Sequence, residues 1–180
     1  TNATGTITGN VVRRYAMEKE SPYNFHIGAG LEGANAGQLL DMPGAVYLKE
    51  WQEPSAGYLT LVGSDVMNLA AGLNFKLSAG SHQFQLTGGS VLDTVVDLTK
   101  ASDSNWAGWN LICNPMTGFA DINAVAVSGA GSLGATYEWV DSLNTYSVQV
   151  AGIGTFGNAG IVAPGRGFWT IADTSSTLHF

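Results

Sequence analysis

The stretch Gly108-Trp109-Asn110-Leu111-Ile112-Cys113-Asn114-Pro115 decides how this chain is read. Trp109, Leu111 and Cys113 alternate with Asn110 and Ile112, the period-two pattern of a strand with one strongly apolar face. Asn114-Pro115 ends the strand, because proline has no N–H for a ladder and forces the residue before it into extended backbone. A diverged copy stands earlier as Tyr23-Asn24-Phe25-His26-Ile27-Gly28, an offset of 86 from Tyr23 to Trp109.

Working outward, four more blocks answer one another in the same order. Val46-Tyr47-Leu48-Lys49-Glu50-Trp51 matches Thr136-Tyr137-Glu138-Trp139, and Tyr58-Leu59-Thr60-Leu61 matches Tyr146-Ser147-Val148-Gln149. Leu69–Phe75 matches Val162–Phe168, and His82–Leu86 matches Thr177–Phe180, with offsets that drift to about 94. The chain therefore reads as a single domain, 1–180, built from two divergent half-repeats at roughly 5–88 and 91–180. Neither half can bury both faces of its own sheet, so the expectation is an all-β sandwich with a shared core.

Between the strand-like runs lie Gly, Asn, Ser, Pro and Asp, the turn formers. Helical periodicity is confined to two short candidates, Ala34–Met42 and Gly118–Val125. Charged residues make up 12% of the chain against a usual share of about 25%, and Gly occurs 24 times, as many short strands with tight turns require. The net charge of −7 argues against a nucleic-acid partner, which needs a basic stripe to displace counterions from phosphate. No apolar stretch approaches the roughly 20 residues of a membrane span. One cysteine, Cys113, rules out an internal disulfide framework and reads as a small buried hydrophobe. A chain beginning at Thr1 fits a removed export signal or excision from a longer protein.

The Gly108–Pro115 block resembles the Gly-Trp-Asn-Leu-(Ile/Val)-Gly-Asn-Pro motif of large exported Bacteroidota proteins, many of them cargo of the type IX secretion system. In that family a Tyr-x-Trp strand, a Tyr-rich strand and a Pro-Gly-x-Gly-Phe-(Trp/Phe) block follow. Here these are Tyr137-Glu138-Trp139, Thr145-Tyr146 and Pro164-Gly165-Arg166-Gly167-Phe168-Trp169. Cys113 stands where the family has Gly, and Met116 where it continues with an aromatic or Pro-rich run. The resemblance implies a secreted, β-rich module of the bacterial cell surface, and it transfers no catalytic residues.

Motifs that suggest chemistry are few. Gly28-Ala29-Gly30-Leu31-Glu32-Gly33 and Gly129-Ala130-Gly131-Ser132-Leu133-Gly134 have the spacing of a dinucleotide fingerprint, but neither opens a βαβ unit, so no cofactor is expected. His26, His82 and His179 read as solvent-facing strand positions, with no metal site implied. Glu18, Glu20, Glu50 and Glu53 read as solvated strand-end or loop charges. Trp109 and Phe168 read as core, Trp51 and Trp139 occupy equivalent scaffold positions, and Trp106 lies in a polar loop. The five tryptophans with Tyr47, Tyr58, Tyr137 and Tyr146 could supply stacking platforms for sugars, and Trp106, Trp51 and Trp139 are the candidate carbohydrate contacts. Asp93-Thr94-Val95 and Asp141-Ser142-Leu143 fit the Asp-(Ser/Thr)-apolar pattern of Bacteroidota O-glycosylation, making Thr94 and Ser142 candidate acceptors.

The expected function is a non-catalytic structural or adhesive subunit of a cell-surface assembly such as a filament, surface layer or long adhesin. Its partners would be further copies or neighbouring surface domains, joined through strand edges at Gly5–Tyr15 or Thr177–Phe180. The alternative is a carbohydrate-binding module, whose partner would be a polysaccharide.

Overall fold

The computed structural model describes residues 10–19, 24–89, 94–101, 104–129, 131–140, 143–150, 153–155 and 160–180. The first half contributes β1 (Asn10–Lys19), β2 (Asn24–Ile27), β3 (Ala45–Gln52), β4 (Gly57–Thr60), β5 (Leu73–Leu77) and β6 (Gly80–Gly89). β1 and β6 form a long antiparallel ribbon, and the others form a sheet in the order β2-β5-β3-β4.

The second half begins with β7 (Val95–Leu98), β8 (Trp109–Cys113), β9 (Ala120–Asp121), β10 (Ala126–Ser128) and β11 (Leu133–Val140). It continues with β12 (Thr145–Val150), β13 (Ile153–Gly154), β14 (Ile161–Val162), β15 (Gly167–Ala172) and β16 (Ser176–His179). Its main sheet runs β13-β12-β11-β15-β8, covered by a second sheet β10-β16-β7, while β9 and β14 pair separately.

The protein is all-β, and its topology repeats. β2, β5, β3 and β4 have the same neighbours as β8, β15, β11 and β12, and the ribbon β1-β6 corresponds to the pair β7-β16. In space the first block aligns one residue differently from the sequence match. Phe25 pairs with Phe75, and Ile112 pairs with Phe168, so Phe25 corresponds to Ile112 rather than Leu111. Side chains alternate faces along a strand, so this single step decides which residues point to the core.

Each half builds its own core where the sequence suggested a shared one. Phe25, Ile27, Leu48, Leu73, Phe75 and Leu77 pack with Phe84 and Leu86 of the ribbon, and Tyr15 stacks on Phe84 with ring centroids 4.8 Å apart. In the second half Val96, Leu98, Ile112, Phe168, Ala172 and Leu178 form a smaller core, joined by Ala70 from the first half. The two main sheets thus turn their other faces towards each other.

Backbone hydrogen bonds tie the halves together at one end: Gly28 N to Gly165 O at 2.8 Å, Gly72 N to Leu111 O at 2.9 Å, and Cys113 N to Ala70 O at 2.9 Å. Gly28 cannot carry a side chain, because a Cβ there would collide with the Cys113 Sγ. Gly165 has φ +69° and lies against Arg13 and Tyr15, so the Pro-Gly-x-Gly turn needs glycine for both conformation and space. Arg13 also donates to Met116 O at 3.0 Å, fastening the first half's ribbon to the second half.

Three sequence expectations are corrected. Only Gly37–Leu40 of the first helical candidate is helical. Residues 118–125 form β9 and a turn, because Asp121 accepts from Asn123 N at 3.0 Å and this local bond competes with a helix. The terminal strand β16 lies between β10 and β7, so Thr177–Phe180 offers no free edge. β1 pairs with β6 on one side, and the first nine residues lie outside the described ones.

An aromatic cleft between the two main sheets

Every tryptophan in the chain lines one cleft between the facing sheets. Its walls carry Trp51, Trp106, Trp109, Trp139 and Trp169, with Tyr58, Tyr137, Tyr146, His26, Asn24 and Asn74, around a volume of about 860 Å³. None of the five tryptophans is among the buried core residues. The strand pattern explains the segregation. On β3, Leu48 points to the core while Trp51 lines the cleft; on β15, Phe168 points to the core and Trp169 to the cleft.

The repeat has written the same aromatic pair twice. Trp51 pairs across strands with Tyr58, and Trp139 with Tyr146. Their ring centroids are both 5.1 Å apart, at interplanar angles of 71° and 76°. Between these pairs sits Trp169, edge-on to Trp51 at 5.3 Å, to His26 at 5.8 Å and to Trp109 at 6.1 Å. His26 stacks on Tyr146 at 5.9 Å, and Trp109 meets Tyr137 at 5.1 Å and Trp106 at 5.8 Å. Trp51 Nε1 donates to Trp109 O at 2.6 Å, tying an aromatic of the first half to the backbone of the second. Burial raises the phenol pKa values of Tyr58 and Tyr146, so both remain neutral donors at physiological pH.

The lip of the cleft is held by a buried carboxylate. Glu53, in the 3-10 turn Glu53–Ser55 after β3, is only 3% exposed. It accepts from Gly108 N at 2.8 Å and Ala101 N at 2.9 Å, clamping the loop that carries Trp106. The solvated role expected for Glu53 is therefore wrong: the acceptors are needed to satisfy backbone donors of the other half.

Of the candidate carbohydrate contacts, Trp106, Trp51 and Trp139 all line this cleft, Trp106 being 55% exposed. Trp109, expected in the core, joins them. Trp169, Tyr137 and Tyr146, possible stacking platforms on the sequence, line it too, and the structure brings in His26, which sequence reading did not select; the Phe168-Trp169 alternation, one residue in and the next out, is the signal that places Trp169. Thr94 is 7% exposed, and its carbonyl accepts from Phe180 N at 3.0 Å. Ser142 lies outside the described residues.

The three histidines fall on separate sheets, on β2, β6 and β16. His26 and His82 are buried, against expectation, and only His179 is exposed. The Gly28–Gly33 run is packing at the junction, with Ala29 and Leu31 in the core. Cys113 is fully buried, which pushes its thiol up to about 12 and makes it inert. Among the described residues no cluster of His, Cys, Asp and Glu could hold a metal, and no helix is long and apolar enough to cross a membrane. Comparison with protein-family models, curated proteins and solved structures gave no match.

Proposed function

We propose that the protein is a non-catalytic carbohydrate-binding module of an exported bacterial surface protein, and that the aromatic cleft is its binding site. One observation carries this: all five tryptophans leave the core and converge on a single open cleft. Large aromatic side chains release most free energy when buried, so keeping five of them partly exposed in one place is costly unless a ligand covers them. A sugar ring presents C–H groups of slight positive charge on one face, and these match the negative face of an aromatic ring. The amides of Asn24 and Asn74, the His26 imidazole and the tyrosine hydroxyls supply the few polar groups such a cleft uses to orient a ligand. The duplicated Trp–Tyr pairs provide two stacking platforms, which suits a chain of sugars better than a single one.

The setting rests on the resemblance to exported Bacteroidota proteins. A supporting point is that Asn114 and Gly165 of those motifs serve as scaffold: the Asn114 amide donates to Val162 O at 2.8 Å and Gly118 O at 2.9 Å. A second reading, the structural or adhesive subunit, is favoured by the outer strands of the two main sheets. β4 exposes Tyr58 and Leu59, and β13 exposes Ile153, leaving apolar edges that a second copy could extend.

The test is calorimetric titration with a panel of oligosaccharides, read alongside tryptophan fluorescence. Trp169→Ala removes the ring at the centre of the cleft and should abolish measurable binding. Trp106→Ala, on the exposed lip, should leave the melting temperature unchanged and weaken binding about 3- to 10-fold, the worth of one aromatic contact. Binding that survives both substitutions would sink the assignment of the site.

A further inference from the structure

Two lysines share the sheet face that lines the cleft, each beside one of its asparagines. On the cleft face of the first sheet, Asn24, Lys76 and Tyr47 form one cross-strand rung, and His26, Asn74, Lys49 and Thr60 form the next. Each lysine is thus the direct strand neighbour of a cleft-lining asparagine. Both ammonium groups converge on one ring: Lys49 Nζ lies 4.5 Å and Lys76 Nζ 5.7 Å from the centroid of Tyr47. The Tyr47 hydroxyl in turn donates to Asn24 Oδ1 at 2.7 Å, linking the lysines to the cleft wall.

Among the described residues neither ammonium has an ion-pair partner; the pair present is Arg166 with Glu138, in the other half. In a chain with 14 acidic and only 7 basic residues, such a pairing stands out. Two like charges on neighbouring strands repel, and an anion between them removes that cost. The second half has no counterpart. Taking Trp51 and Trp139 as equivalent, Lys49 corresponds to Tyr137, so the duplication has kept an aromatic on one side and placed a cation on the other.

We propose that Lys49 and Lys76 form an anion subsite, and that the ligand is a polysaccharide carrying spaced acidic groups, carboxylate or sulfate, on an otherwise neutral chain. This rests on the carbohydrate reading above. Neutral sugars stack along the tryptophans, and the acidic substituent reaches the lysines and the Asn24 amide by charge-assisted hydrogen bonds. A densely charged polymer is disfavoured, because the cleft lining beside the lysines is formally neutral and the protein's net charge is −7.

The experiment compares matched ligands by calorimetry: xylo-oligosaccharides with and without a glucuronic acid branch, and galactan oligosaccharides with and without sulfate. The wild-type protein should prefer the acidic member of at least one pair by roughly 10-fold or more, and the preferred pair identifies carboxylate or sulfate as the anion. Lys49→Gln with Lys76→Gln should erase that preference while leaving affinity for the neutral member intact, and Lys49→Arg with Lys76→Arg should retain it. Equal binding of both members, or a preference that survives the double Gln variant, overturns the anion subsite and leaves the carbohydrate reading standing. Failure of every oligosaccharide to bind the wild-type protein removes both.

Discussion

Substituting Glu53 tests whether one buried carboxylate assembles the cleft from two halves. Its two oxygens accept the Gly108 and Ala101 N–H groups at 2.8 and 2.9 Å. Glu53→Ala leaves both donors without that acceptor. Gly108 is buried, so its N–H loses its partner inside the protein, at about 2 kcal/mol, whereas Ala101 is exposed and its N–H can turn to water, at about 1 kcal/mol. The expected loss is about 3 kcal/mol, a fall of roughly 6–12 °C in melting temperature for a chain of this size. Glu53→Gln keeps one carbonyl oxygen, which the buried Gly108 N–H can claim, so its cost should be about 1 kcal/mol and roughly 2–4 °C. Urea and thermal melts followed by far-ultraviolet circular dichroism measure both. An unchanged Glu53→Ala melt would refute the clamp. A Glu53→Gln variant as damaged as Glu53→Ala would show that the negative charge, rather than the acceptor geometry, holds the loop.

Asn114 is fully buried, and its side chain makes three hydrogen bonds, donating to Val162 O and Gly118 O and accepting from Met116 N at 2.9 Å. Asn114→Ala should therefore cost about 3 kcal/mol in a urea melt. Asn114→Asp places a carboxylate against two carbonyl oxygens, raising its folded-state pKa; the folded state then binds more protons than the unfolded one, and stability should fall as pH rises above about 4. A pH-independent Asn114→Asp would contradict that placement. For Cys113, whose thiol is pushed up to about 12, native protein at pH 8 should resist iodoacetamide and react only after unfolding in denaturant, as mass spectrometry would show. Rapid native alkylation would mean that the junction at Gly28 opens.

Strand character, the repeat and the turn chemistry were legible because they are local. Period-two alternation in Trp109–Cys113, proline after Asn114 and glycine at 165 each act within a few residues. The second helical candidate failed because Asp121 captured a nearby N–H, a competition that apolar spacing does not register. The site was only partly legible. The sequence points to Trp106, Trp51 and Trp139 but places Trp109 in a core, because alternation shows that a residue shares a face with Leu111 and Cys113 without showing what covers that face. Leu111 and Cys113 do meet the first half, at Gly72 and Gly28, while Trp109 lies beyond that contact and faces the cleft.

The sequence by itself determined an all-β chain made of one strand pattern used twice, since backbone preferences and face alternation are written residue by residue. Only the tertiary structure decided that each half would close its own core and that the two remaining faces would meet. That outcome depends on long-range packing: the ribbon β1-β6 and the sheet β10-β16-β7 cover the aliphatic faces, and Gly28 admits Cys113 closely enough to join the halves at one end. The aromatic faces, left without an aliphatic partner, became the walls of a cleft.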